Sequence, residues 1–255
     1  MITVALDFWH FKALVGGITE LIDFAEWLAT ERKYDIFPIK FSYVKEDLEG
    51  IEMLFILSPG YEVLDHEIKA ICEWVKEGGI LLVSRPIGKV DIINPLLEKF
   101  GARFTGETVD SWAFYADIPP ELEETDERYK ILKNFISDHP VNTGLKAVAE
   151  GGPKDKNYPY IIEIEDPKEW HIIGAATKNG RPRPTAVIKE VNDGLVTIVG
   201  SVYLFYKWHF WLKHKELENQ EDSYVTNYKF INRLLDYFED HLKKKGKLES
   251  VETDS

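Results

Sequence analysis

The stretch from residue 51 to 84, IEMLFILSPGYEVLDHEIKAICEWVKEGGILLVS, restricts the possible folds more than any other part of the chain. It reads as a buried strand, a turn at Ser58-Pro59-Gly60, an amphipathic helix, a Gly78-Gly79 stop and a second buried strand. Leu64, Ile68, Ile71, Cys72 and Val75 fall on one helix face, with Asp65 at the N-cap position. Both strands are near-continuous apolar runs, which a parallel sheet covered by helices on both faces requires. The segment is one βαβ unit. It predicts a three-layer, doubly wound α/β fold with a mainly parallel sheet.

The remaining elements alternate in the same way. A strand at 2–7 leads to a helix at 17–31, whose Ile18, Leu21, Ile22, Ala25 and Leu28 form a stripe, and then to a strand at 35–41. A helix at 91–100 is stopped by Gly101, and another spans 126–135. Asn179-Gly180 and Asp193-Gly194 are type I′ hairpin signals, so strands at 170–177, 185–190 and 195–199 should add an antiparallel extension in the second half. Arg181-Pro182-Arg183-Pro184 reads as a proline-stiffened edge strand or loop. Tyr224, Tyr228, Ile231, Leu235, Phe238 and Leu242 mark a long closing helix. With 255 residues and 44% apolar content, one domain over 1–245 is expected, followed by a disordered polar tail at 246–255.

The βαβ unit, with its Pro-Gly turn and its Val-Lys-Glu-Gly-Gly-Ile-Leu-Leu-Val ending, resembles the class I glutamine amidotransferase-like superfamily, of flavodoxin-like architecture. Residues 2–10 resemble its first strand. Asp138-His139-Pro140-Val141-Asn142-Thr143-Gly144-Leu145 resembles its conserved-pattern turn, and 194–201 with 227–238 its closing strand and final helix. The resemblance spans roughly residues 2–240. It points to non-catalytic branches: amidotransferase-like domains of intraflagellar-transport and gliding proteins, trehalose-utilisation-type domains, and archaeal families of unknown function. Catalytic members need a cysteine on a strained strand-to-helix elbow, where backbone N–H groups and a histidine can reach it. Here that position is Ser84, in Leu82-Val83-Ser84-Arg85-Pro86, without flanking glycines. The lone cysteine, Cys72, lies mid-helix on the apolar face, and His214-Lys215-Glu216 stands well past the last strand. A functional glutamine amidotransferase is therefore not expected.

Composition narrows the remaining choices. One cysteine argues against a disulfide framework, and no apolar run reaches the length of a membrane span, so a cytoplasmic protein is expected. Abundant Lys and Glu beside a single glutamine, Gln220, fit a thermophile. A net charge of −13 repels nucleic-acid backbones, leaving as an alternative only a local role for Lys207, His209, Lys213, His214 and Lys215 among aromatics, or for the lysines at 243–247. In Tyr203 to Trp211, seven of nine residues are aromatic if His209 is included, more than one helix can turn inward. Tyr206, Trp208, Phe210 and Trp211 are thus candidate interface residues for self-association or a protein partner.

Ligands in doubly wound sheets gather at the carboxyl ends of the strands. Those ends place Asp7, Trp9, His10, Ser58, Gly60, Tyr61, Ser84, Arg85 and Ser201 along one edge. Such a set suits a small polar or anionic ligand, with Arg85 as the anion reader and Trp9 or Tyr61 stacking on it. Asp7, His10 and Ser84 also define an alternative, a small-molecule hydrolase with a Ser/His/Asp set. The Asp138-His139-Pro140 turn has no second ligand at metal spacing, and the glycine pattern of a dinucleotide site is missing, so neither metal nor cofactor is expected. The expectation is a binding or scaffolding module.

Overall fold

The computed structural model describes residues 1–11, 17–86, 88–111, 113–116, 118, 127–143, 145, 147–149, 158–201, 203–205 and 227–248. Five strands, β1 (Thr3–Asp7), β2 (Asp35–Ile39), β3 (Met53–Ile56), β4 (Ile80–Ser84) and β11 (Gly194–Val199), lie parallel in the order β2-β1-β3-β4-β11. The same sheet continues antiparallel through β10 (Arg181–Val191), β9 (His171–Lys178), β6 (Ala113–Tyr115) and β7 (Ala147–Ala149). A separate antiparallel pair joins β5 (Ala102–Thr108) to β8 (Tyr160–Ile164). The parallel half has the flavodoxin-like order, and its switch point lies between β1 and β3, where successive connections leave β1 on opposite sides.

Both faces of this sheet are buried, which explains the unbroken apolar runs. Val4, Leu6, Met53, Phe55, Ile80 and Leu82 pack in one cluster with helices α1 (Gly17–Thr30) and α5 (Asn227–Lys244), through Leu21, Phe24, Trp27, Phe230, Leu234 and Phe238. Ala5, Leu54, Ile56, Leu81 and Val83 face the other cluster, under Ile68, Ile71 and Val75 of α2 (Asp65–Lys76). Helix α5 ends in a paired glycine cap: Gly246, at φ +68°, donates to Lys243 O and Lys247 N–H donates to Leu242 O, each at 3.0 Å. Leu248 then packs against the core, so the described chain stays attached past residue 246.

Three elements differ from the sequence reading for local reasons. The expected 91–100 helix is broken into a 3-10 turn at Val90–Ile92, one α-turn, α3 (Asn94–Leu97), and a second 3-10 turn at Glu98–Phe100. Pro95 has no N–H to continue a helix begun at 91, and both ends of the Asn94 amide are drawn to the Phe104 backbone at 2.9 Å. The second hairpin turns at Asn192-Asp193, with Asn192 at φ +54°, so Gly194 is the first residue of β11 and pairs with Val191. The Pro182 and Pro184 pair lies inside β10, not at a sheet edge. It occupies the stretch beyond the β11 ladder, which begins only at Ala186, so its missing N–H groups cost no pairing there. The helix α4 (Glu127–Phe135) falls within the expected 126–135.

At the opposite edge, β2 also carries a proline. Asp35 N–H donates to Ile2 O and Ile39 O accepts from Phe8 N–H, so residues 35 and 39 turn toward β1 while Ile36 and Pro38 turn outward. Pro38 removes a donor from that edge and discourages strand addition.

Candidate functional site

At the switch point, the chain leaving β1 makes a turn that Asp7 itself organises. Its Oδ1 accepts the backbone N–H of His10 at 3.0 Å, and its Oδ2 accepts His10 Nδ1–H at 2.6 Å. The other ring nitrogen, Nε2, donates to Glu67 Oε2 at 3.0 Å. Glu67 stands in the first turn of α2, where the same oxygen takes the Leu64 N–H at 2.8 Å. Glu67, not Asp65, is thus the side chain that caps this helix, while Leu64 occupies the N-cap position. Ser42 Oγ donates to Glu67 Oε1 at 2.6 Å, and the exposed His66 reaches the same hydroxyl through Nε2 at 2.8 Å. Tyr43 OH approaches Asp7 Oδ2 at 3.5 Å, with its ring edge-on to His10.

Asp7, His10, Tyr43 and Glu67 are all buried. Burial alone opposes charge on His10, yet the hydrogen bonds and negative charges of Asp7 and Glu67 outweigh it and raise its pKa above the usual 6.5. That shift favours the imidazolium, in which both ring N–H groups are given to carboxylates. The Tyr43 phenol is driven far above its usual range, by burial first and by the same two carboxylates second.

The neighbouring strand ends also form hydrogen bonds with one another and with adjoining backbone. Ser58 takes a left-handed backbone, φ +54°, and its N–H donates to Ser84 Oγ at 2.8 Å. Ser58 Oγ is buried without a partner among the described residues. Gly60 N–H donates to His10 O at 2.8 Å, and Phe11 pairs with Pro59, so the β1 and β3 loops are joined through their backbones. Arg85 donates from Nη1 to Tyr158 O at 2.9 Å and lies 4.4 Å over the Tyr160 ring, where it reads the chain's own carbonyl. Ser201 is buried, whereas Trp9 and Tyr61 are exposed.

The structure therefore brings Asp7 and His10 together but leaves Ser84 out of the triad of the alternative hydrolase reading. Both His10 nitrogens go to carboxylates, and the Ser84 hydroxyl serves Ser58. Sequence reading missed Ser42, Tyr43, His66 and Glu67. Glu67 carried a signal, since an acid in the first turn of a helix is a capping candidate, but nothing in the sequence tells which way it swings. The interface candidates Tyr206, Trp208, Phe210 and Trp211, with the basic residues among them, lie outside the described residues. Cys72 is half-buried and burial raises its thiol pKa, the opposite of an activated nucleophile.

The Asp138-His139-Pro140 turn begins a 3-10 segment, Pro140–Asn142, with His139 Nδ1 accepting the Val141 N–H at 3.3 Å. His139 packs against the rings of His171 and Tyr237 at 5.1 and 4.6 Å. Burial, helped by His171, lowers its pKa to about 4. A base whose folded pKa lies below its unfolded value stabilises fully above about 6.5 and loses that contribution as pH falls toward the folded value. Urea denaturation between neutral pH and about pH 4 should show a loss of about 3 kcal/mol from this group, flattened in His139→Asn.

Neither a protein-family model nor a curated protein matches the sequence. Solved structures share its fold over nearly the whole chain. The mmIFT52 N-terminal domain superposes with a TM-score of 0.62 at 14% identity, covering 93% of this chain and 97% of that one. A putative ThuA-like protein from Bacteroides uniformis gives 0.56 at 9% identity, covering 93% and 91%. A β-galactosidase from Rahnella sp. R3 gives 0.51 at 12% identity, covering 89% of this chain but 33% of that enzyme. At such identities the likeness is one of fold, and it agrees with the class I amidotransferase-like architecture.

Proposed function

We propose that the protein is a non-catalytic, cytoplasmic binding or scaffolding module of amidotransferase-like type, whose contact face is the carboxyl edge of the parallel strands. One observation carries this reading: the Asp7, His10, Glu67 and Ser84 side chains at that edge are buried and committed to partners, while large apolar side chains beside them face solvent. A hydrolytic site needs a nucleophile in reach of a base with a free lone pair. The buried His10 has neither nitrogen free, and the buried Ser84 hydroxyl already accepts the Ser58 N–H. A contact face needs only a stable platform, and the linked loops after β1 and β3 supply one. The full chain is expected to release no ammonia from glutamine and to remain unlabelled at Ser84 by a fluorophosphonate. Glutaminase turnover lost in Cys72→Ala, or ester hydrolysis lost in Ser84→Ala, would overturn the reading.

A further inference from the structure

Five of the nine exposed large hydrophobic side chains among the described residues stand on three loops that meet at one edge: Trp9, Phe41, Val44, Tyr61 and Leu64, each between 42% and 58% exposed. Their backbones are tied together beneath. Trp9 precedes His10, whose carbonyl accepts the N–H of Gly60, the residue before Tyr61. Phe41 precedes Ser42, whose hydroxyl reaches Glu67 and His66 just beyond Leu64, and Val44 follows Tyr43, which packs on His10. Single exposed hydrophobics need no explanation, but a cluster held on a shared buried network does.

Acidic side chains outnumber basic ones among the described residues around this patch. Glu46, Asp47, Glu62 and Asp65 are exposed on the same loops. Among the described residues the bases there are Lys40 and Lys45, and the Lys45 ammonium is spent on Glu77 at 2.5 Å. Beneath the patch, the His10 ring lies between the Asp7 and Glu67 side chains in a poorly screened interior, so acidic groups outnumber basic ones there too. Pro38 meanwhile discourages a partner from docking as an added strand on β2. We infer that this edge binds a basic amphipathic segment of a protein partner, whose aliphatic and aromatic side chains cover Trp9 and Tyr61 while its lysines or arginines meet the acidic rim. The inference rests on the contact-face reading above and adds the partner's chemistry to it.

The test uses the full chain and a synthetic amphipathic helix of Leu, Trp and Lys, with a control in which every Lys is Glu. Fluorescence anisotropy should show binding of the basic peptide alone, weakened by salt. Trp9→Ser with Tyr61→Ser should reduce affinity at least tenfold, and Glu62→Lys with Asp65→Lys should reduce it about tenfold and let the acidic peptide bind. These positions are exposed, so circular dichroism should show the fold retained. If both peptides bind equally and the apolar variants lose both, the contact face survives and the basic partner is overturned. If the apolar variants bind as wild type does, both readings fall. Dimers seen by light scattering without peptide and lost in Trp9→Ser would make a second copy the occupant and overturn the inference.

Discussion

Replacing His10 with alanine is expected to destabilise the protein by about 3–5 kcal/mol at neutral pH, read as a shift in the urea midpoint at unchanged slope. The loss is not that of one contact. Asp7 and Glu67 would face each other in a dry interior with nothing between them, and removing one partner of a buried charge group leaves its full desolvation cost exposed. Two companion measurements separate this cause from simple cavity formation. In the wild type, the raised His10 pKa means that its contribution is complete below about pH 6.5 and fades as pH rises through the folded value, so the alanine variant should lose that dependence. A triple variant, His10→Leu with Asp7→Asn and Glu67→Gln, should recover much of the stability, since it removes the charges together. An alanine variant within about 1 kcal/mol of wild type would mean that the cluster is more hydrated than its burial implies.

Gly194→Ala should be nearly as damaging, although it adds one methyl group. A Cβ at this position would lie 2.0 Å from the Val75 carbonyl oxygen and 2.4 Å from that of Gly79. Both are backbone atoms, at the end of α2 and the start of β4, and neither can swing aside as a side chain would. The expected cost exceeds the about 1–3 kcal/mol usual for overpacking, and thermal unfolding should show it as a large drop in melting temperature. A matched Gly180→Ala change, at a hairpin turn with open space around it, should cost only the strain of its positive φ. If the two substitutions behaved alike, the close approach of β11 to the α2-β4 corner would be wrong.

The same glycine shows where sequence reading works and where it stops. The βαβ unit was legible because burial on both faces writes itself as continuous apolar strands. Asn179-Gly180 was legible because a two-residue turn needs positive φ at both positions, and both residues supply it. Asp193-Gly194 carried the same signal but means something else: the turn moves one residue earlier because Gly194 is needed for close packing. The 91–100 helix failed for a comparable reason, with the side-chain amide of Asn94 bonding across to β5 in a way local periodicity does not register. At the site, the strand-end rule located Asp7, His10, Ser58 and Ser84 on one edge. It could not say that Glu67 would reach the imidazole from another element, which closes the ring nitrogens to chemistry.

One consequence of the strand order concerns the growing chain rather than the finished one. The second ladder of β4, Ile80–Ser84, is covered by β11, Gly194–Val199, which is made long after it. While the ribosome adds the intervening residues, the N-terminal half can complete β2-β1-β3-β4 but must present an unprotected strand flank that is apolar from Ile80 to Val83. That interval is when stray pairing with another nascent chain competes with self-completion. Slowing synthesis between these two strands should therefore lower the yield of soluble protein more than the same delay placed after residue 200, and a chaperone that masks strand flanks should restore it.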